Sequence, residues 1–169
     1  MKTTLFKETG VTEGACGKIL DTEDRAIVIK RVHRHLKYRA KCLNAEEQCQ
    51  MQIWAHELLT PANGFSVLYT PRAWYQEGDK NQYYMNRVDC SDQVDPFSAS
   101  AATVTELKLF YEKAKAAGIF PCDYELYRQP SGRVALIDFD KFGAWSGPTD
   151  SGQVIFPWGL VWTKPLYPW

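Results

Sequence analysis

Residues 133–140 read RVALIDFD, a short apolar run that closes in an acidic-aromatic-acidic step. The run Val134–Ile137 predicts a strand that is covered on both faces. Gly132, which precedes it, favours a hairpin turn. Asp138 stands where this strand leaves the core, so its carboxylate must be solvated, paired or bound to a cation. It is therefore either an ordinary polar residue that closes a strand or a ligand for a metal ion and its phosphates.

The composition indicates a folded protein. The chain has 169 residues, of which 45% are hydrophobic and 14% aromatic, enough for one domain or two small lobes. Lysine plus arginine and aspartate plus glutamate are both 20, so the formal net charge is zero and a broad nucleic-acid surface is not favoured. No apolar run approaches the length that spans a membrane.

The five cysteines are scattered and form no Cys-x-x-Cys pair. This pattern favours reduced thiols in a cytosol over a disulfide framework or a zinc site. The first eight residues lack the apolar run of a secretory signal peptide. We therefore expect a cytoplasmic site of action, which does not exclude secretion into the cytoplasm of a host cell.

The first half of the chain predicts an antiparallel sheet with one helix. Residues 4–37 carry strand signals around a glycine-rich turn and a polar turn, and the β-forming run Ile27–Ile29 comes directly before Lys30. Residues 44–59 predict a helix, because Asn44 is a good N-cap and two glutamates follow in the first turn. We expect one face of this helix to be mostly core, and it carries Glu47, Met51, Trp54 and Leu58.

The second half predicts strands, a hinge, a helix and a hairpin. Residues 65–77 and 82–88 read as a strand pair, and the polar segment at 89–98 reads as a hinge. A helix is expected over 103–117, with Thr103 or Thr105 as its N-cap and Gly118 as its stop. Strand signals then return after residue 118, so Asp123 and Asp138 should flank a short hairpin whose ends can meet.

Four features thus follow in a fixed order: a glycine-rich hairpin, a lysine that ends the next strand, a glutamate on the next helix, and two aspartates around a later hairpin. Phosphoryl transfer needs such parts. Phosphates need backbone N–H groups and a fixed cation, Mg²⁺ needs a carboxylate, and the attacking hydroxyl needs an acceptor that aligns it.

At these positions the chain resembles the protein-kinase-like fold. Residues 12–19, TEGACGKI, are similar to the kinase glycine-rich loop with threonine in place of its first glycine. Residues 27–30, IVIK, are similar to the Val-Ala-Ile-Lys strand. Residues 117–123, AGIFPCD, resemble the approach to the catalytic loop, with Pro-Cys-Asp where His-Arg-Asp is usual. Residues 136–140, LIDFD, resemble the Asp-Phe-Gly step, with aspartate in place of glycine.

The resemblance implies a minimal, bilobal kinase-like α+β fold. An N-lobe at 1–88 would hold the antiparallel sheet and one helix, and a reduced helical C-lobe would follow at 89–169. The adenine-side hinge would lie at 83–90 and would use backbone groups.

The resemblance also implies roles for the nucleotide-binding residues. Gly14 and Gly17 would cover the phosphates of ATP. Lys30 would hold the α- and β-phosphates and be positioned by Glu47, with Glu46 as the alternative because the helix register is open.

On the metal and substrate side, Asp138 would bind Mg²⁺ and Asp123 would accept or orient the substrate hydroxyl. The chain departs from the family here, because the asparagine that binds metal is missing and Arg128 stands at its place. Glu125 is the nearest oxygen ligand that could substitute for it.

No Ala-Pro-Glu activation segment is recognisable, so the chain is similar to the compact effector kinases, virulence proteins that bacterial pathogens deliver into host cells. One such group phosphorylates the host chaperone HSP90. The resemblance implies an ATP- and Mg²⁺-dependent transferase with a protein substrate, for which a host chaperone is one candidate. A pseudokinase without turnover, a small-molecule kinase and an unrelated fold remain the alternatives.

Overall fold

The computed structural model describes residues 8–13, 17–32, 43–78, 81–121, 123–139, 153–155 and 161–163. Within these ranges it has two α-helices, α1 (Ala45–Leu58) and α2 (Ala101–Ala116). The strands are β1 (Glu8–Glu13), β2 (Gly17–Thr22), β3 (Ile27–Val32), β4 (Leu68–Tyr69), β5 (Ala73–Trp74), β6 (Gln82–Asn86), β7 (Glu125–Arg128), β8 (Val134–Ile137), β9 (Gln153–Ile155) and β10 (Val161–Thr163). The α+β class predicted from the sequence is confirmed.

The first sheet contains β1, β2, β3, β6 and β5 in that order, and all its neighbours are antiparallel. Successive side chains of β3 alternate between its faces. Val28 packs against Cys49 on the face that α1 covers, and Ile29 packs against Tyr84 on the opposite face. Lys30 therefore shares a face with Val28, on the side of the helix.

The second sheet is β4-β8-β7, in which β8 is parallel to β4 and antiparallel to β7. Ala135 and Leu136 belong to opposite faces of β8, and both are fully buried, as the continuous apolar run predicts. Leu136 lies in the main core with Phe110 of α2. The turn before β8 contains Gly132 at φ 86°, so the hairpin predicted around this strand is confirmed. A third pair, β9 and β10, is an antiparallel ladder.

The strand pair expected from 65–77 and 82–88 forms only in part. Ala73–Trp74 pairs with β6, but Leu68–Tyr69 belongs to the second sheet, where it pairs with β8. The physical reason is a buried carboxylate. Glu106 of α2 accepts hydrogen bonds from the backbone N–H groups of residues 66–68, which fixes this segment against α2.

Helix α1 begins where the sequence predicts, but its register differs from the expected one. The Asn44 side chain accepts from the Glu47 backbone N–H at 2.8 Å, which sets the first turn. The face expected to be core is only partly buried, and its Glu47 is exposed. The fully buried face instead carries Ala45, Gln48, Cys49, Gln52 and Ala55. The buried Gln52 is tolerated because its amide donates to the Pro71 carbonyl and accepts from the Tyr83 hydroxyl.

Helix α2 starts earlier than predicted, because Ser100 is its N-cap and accepts from the Thr103 backbone N–H. The predicted stop at Gly118 is confirmed. Gly118 has φ 73°, and the N–H of Ile119 bonds back to the Ala114 carbonyl, which is a Schellman ending. Among the described residues, no helix has both the length and the apolar character required to cross a membrane.

Candidate active site

The two residues at the centre of the sequence hypothesis are in contact. Lys30 Nζ donates to Asp138 Oδ1 at 2.7 Å, although the residues lie 108 positions apart. Lys30 projects from β3 of the first sheet, and Asp138 directly follows β8 of the second. Their side chains are 12% and 31% exposed, so the pair is shielded from water without being sealed from it.

The two aspartates that the sequence assigns to the site, Asp123 as the hydroxyl acceptor and Asp138 as the Mg²⁺ ligand, have an unusual backbone conformation. Asp123 has φ 57° and Asp138 has φ 73°, and they are the non-glycine residues with positive φ in the described part of the chain. Aspartate enters this left-handed region more readily than most residues but still at a cost of about 1 kcal/mol or more. Such strain concentrates at functional sites, and here both cases fall on residues chosen for their chemistry.

Asp123 is exposed and lies at the same end of the hairpin as Asp138. The register pairs Glu125 with Ile137, the residue directly before Asp138. Asp123 comes two positions before Glu125, and Asp138 comes one position after Ile137. The hairpin therefore places the two residues at the same end.

Glu125 and Tyr127 lie on the face of β7 that points away from the main core. The Tyr127 hydroxyl donates to Glu125 Oε2 at 2.8 Å. Burial, together with the hydrogen bond and the charge of Glu125, raises the pKa of Tyr127 well above its usual range, and the charge of Asp138 adds to the effect. Ile137, which is paired with Glu125, packs into the apolar cluster of the first sheet, so this face of the hairpin turns toward that sheet.

The segment after β6 is tied to the same hairpin. The Asp89 N–H donates to Gln129 Oε1 at 3.0 Å, and Gln129 Nε2 donates back to the Asp89 carbonyl at 2.9 Å. Next to this tether lies Cys90, whose pKa is raised by partial burial and by the negative charges of Glu125 and Asp89. The hinge residues Asp89 and Cys90 therefore lie beside the face of the hairpin that carries Glu125.

The expected partner of Lys30 on α1 is not found. Glu46 and Glu47 are both exposed, and in the described residues neither forms an ion pair with Lys30. Glu47 Oε1 instead accepts from the Asn44 backbone N–H at 3.1 Å. The prediction was wrong because the capping box turns position 47 outward and brings position 48 into the core.

Of the two glycines that the sequence assigns to phosphate binding, the structure describes one. Gly14 lies outside the described residues. Gly17 is buried in β2, and a Cβ atom there would collide with the Arg31 carbonyl oxygen of β3. Its lack of a side chain is therefore already required by the close approach of two strands.

Two residues near this region were missed by sequence reasoning. Gln48 is fully buried, and its Oε1 has no hydrogen-bond partner among the residues that the structure describes. Finding it from the sequence would have required the correct helix register. Tyr127 could have been found from the two-residue period of a strand, which places it on the same face as Glu125. No group of three or more metal-ligating side chains occurs among the described residues. The carboxylates that the sequence assigns to a metal ion are those of Asp138 and Glu125.

Comparison with known proteins adds no assignment, since no family model matches the chain and no curated protein matches it significantly.

Proposed function

We propose that the chain is an ATP- and Mg²⁺-dependent phosphotransferase of the protein-kinase type, with a minimal bilobal fold. The observation that carries this function is the contact of 2.7 Å between Lys30 and Asp138. It sets a phosphate-binding cation beside a metal-binding anion at the junction of two sheets. The left-handed backbone of Asp138 supports a functional role, because a residue that merely closes a strand does not need it.

In the adenine-side hinge at 83–90, one backbone N–H group is suited to bind the edge of an adenine ring. Within the part of the chain that the structure describes, the Val88 backbone N–H donates no hydrogen bond. The Val88 side chain packs with Ile19 and Val28 in the cluster that Ile137 also joins. An apolar slot beside an available backbone donor is a typical setting for a planar heteroaromatic ligand.

Nucleotide binding would require Lys30 and Asp138 to exchange partners. The ammonium would turn to phosphate oxygens, and Asp138, with Glu125, would hold the Mg²⁺ ion. When bound, the metal would supply charge neutralisation on the transferring phosphoryl group. The exchange gives the ammonium and the carboxylate each a new counter-charge in place of the other.

Asp123 would accept or orient the proton of the attacking hydroxyl. Its exposure, at the end of the hairpin that carries Asp138, suits a hydroxyl presented by a protein surface. A host chaperone, as in the effector group that the chain resembles, is the first substrate to test.

A pseudokinase is the second candidate, and one observation favours it. Lys30 and Asp138 already neutralise each other, and the glutamates at the start of α1 do not hold Lys30 in place. A nucleotide must therefore break this ion pair, and neither of those two glutamates holds the ammonium in place for it. Binding without transfer would follow if the exchange were incomplete.

The deciding experiment incubates the protein with Mg²⁺ and γ-labelled ATP, alone and with host-cell lysate. Lys30→Met and Asp138→Asn should each reduce labelling at least 100-fold with unchanged far-UV circular dichroism. Asp21→Asn is the matched control, because it removes the charge of an ion pair of the same 2.7 Å length, which joins Asp21 of β2 to Arg87. Nucleotide binding without labelling would favour the pseudokinase, and absence of nucleotide binding would exclude both functions.

A further inference from the structure

The carboxylate of Glu125 has an unusual set of neighbours for a partly buried acid. In the described residues no cation forms an ion pair with it, and its hydrogen-bond donor is the neutral hydroxyl of Tyr127. A partly buried carboxylate is normally paired or bound to a cation. Asp138, one position beyond the residue opposite Glu125, has such a partner in Lys30.

We propose that Tyr127 is a positioning residue for Glu125. Its hydroxyl holds the Glu125 carboxylate in the orientation needed to bind the metal ion of the metal–phosphate group. This role depends on the function proposed above. The two side chains leave β7 on the same face, two positions apart. The hydroxyl engages Oε2 at 2.8 Å, which leaves Oε1 available to a metal ion.

The physical reason for such a device lies in the length of the glutamate side chain. The asparagine that binds metal in kinases, for which Glu125 would substitute, is shorter and has fewer rotatable bonds. A glutamate that must be ordered on binding loses up to roughly 1.5–2 kcal/mol of rotamer entropy. A hydroxyl fixed on the neighbouring ring orders the carboxylate beforehand, as partners behind a metal ligand commonly do.

The backbone that carries the Tyr127 ring is held at two points. Tyr127 is opposite the fully buried Ala135 in the β7–β8 ladder, and its backbone carbonyl accepts from Gln129 Nε2 at 3.1 Å. Gln129 also exchanges hydrogen bonds with Asp89 of the hinge. The backbone of Tyr127 is therefore tied both to the hairpin and to the hinge.

The test uses Tyr127→Phe, which removes one hydroxyl and keeps the ring. Mn²⁺ binding to the full-length protein with a non-hydrolysable ATP analogue is followed by electron paramagnetic resonance. We expect Tyr127→Phe to weaken Mn²⁺ binding about 10-fold and to shift the Mg²⁺ dependence of phosphoryl transfer to higher concentration. At saturating Mg²⁺ most of the transfer rate should return, because the ligand itself is still present.

Tyr111→Phe is the matched control, because its hydroxyl also donates a hydrogen bond, to the Pro121 carbonyl oxygen, but from α2 in the main core. It should leave Mn²⁺ binding unchanged. The double variant Tyr127→Phe, Glu125→Gln should bind Mn²⁺ no more weakly than Glu125→Gln alone, since the tyrosine acts through the glutamate.

The outcomes separate the two proposals. If the wild type and Tyr127→Phe bind the Mn²⁺–nucleotide complex equally well, the role of Tyr127 is overturned and the kinase function still stands. Additive losses in the double variant would also overturn it, because they would show that the hydroxyl acts independently of Glu125. Wild-type protein that binds no nucleotide would remove both.

Discussion

The Glu106 carboxylate accepts hydrogen bonds from more backbone N–H groups than any other carboxylate in the described residues. It is 7% exposed and accepts from the N–H groups of Ser66, Val67 and Leu68 and from the Ser66 hydroxyl. We expect Glu106→Gln to lower the free energy of unfolding by about 2–3 kcal/mol, because the amide cannot replace a charged acceptor shared by several donors. Urea denaturation measures the change.

Glu112→Gln is the control for this prediction, because it makes the same replacement at an exposed position of α2. It should leave the urea midpoint close to that of the wild type. Equal midpoints for the two variants would show that the amides of residues 66–68 do not need the carboxylate.

The thiol of Cys49 gives a prediction about pH. Complete exclusion from solvent, with a smaller contribution from the charge of Glu46, raises the pKa of this thiol from 9.0 to about 12. Below pH about 9 both folded and unfolded thiols are protonated, and stability is unaffected. Above it the unfolded thiol ionises first, so the free energy of unfolding falls until the folded thiol also ionises near pH 12.

The stability of the wild type should therefore fall, relative to Cys49→Ala, by roughly 1 kcal/mol between pH 8 and pH 10. Urea denaturation at both pH values measures this difference, and the comparison cancels the titration of other groups. Parallel curves for the two proteins would contradict a protonated, buried thiol.

At this scale, sequence reasoning correctly predicted that two residues from distant strands lie close together. Lys30 and Asp138 each follow a β-forming run, and the structure brings them into contact. Sequence reasoning failed for Glu47, because the N-cap sets the register of a helix. A small change in that register moves a side chain from the core to the solvent. The pattern of Met51, Trp54 and Leu58 suggested a core face, whereas these residues only border it.

At the scale of elements, the start of α2 offers a direct test of structure against sequence. The sequence suggested Thr103 or Thr105 as the cap, but Ser100 accepts from the Thr103 N–H. Ser100→Ala should lower the free energy of unfolding by about 1 kcal/mol, because it removes that acceptor from the first turn. Thermal or urea denaturation measures the change.

Thr105→Ala provides the comparison, because Thr105 is exposed inside the helix. Alanine has the higher helix propensity, so this variant should be equal to or slightly more stable than the wild type. The reverse order of the two variants would place the helix start where the sequence alone suggested it.

The hairpin of β7 and β8 could be predicted from the sequence because its signals are local: an apolar run, a turn glycine and flanking polar residues. The placement of β4 could not, because it depends on a carboxylate about 40 positions away. The same limit applies to Tyr127. Its distance from Glu125 is local, but its importance depends on the neighbourhood of Asp138, which only the sheet register reveals.

At the scale of the whole molecule, the candidate site lies where two sheets meet. The first sheet provides Lys30 and the apolar slot, and the second provides Asp138, Glu125 and the approach to Asp123. Ile137 connects them by packing from the second sheet into the cluster of the first. A junction of this kind lets a ligand contact both sheets at once, and it makes the Lys30–Asp138 pair a measurable link between them.

A double-mutant cycle with Lys30→Met and Asp138→Asn measures that link. We expect a coupling of about 1–2 kcal/mol in urea denaturation, because the pair is mostly shielded from solvent. The Arg87–Asp21 pair has the same 2.7 Å length but is 38% and 45% exposed, and its cycle should give at most about 0.5 kcal/mol. Asparagine at position 138 tolerates the left-handed backbone, so the cycle reports on the charge pair rather than on backbone strain.

The coupling should fall when Mg²⁺ and a non-hydrolysable ATP analogue are present, because each partner then has a new counter-charge. Equal coupling in the two cycles would mean that burial does not strengthen the Lys30–Asp138 contact. Coupling that persists unchanged with bound nucleotide would mean that the pair remains closed. Lys30 and Asp138 would then hold the two sheets together, and phosphate and metal would have to be bound elsewhere.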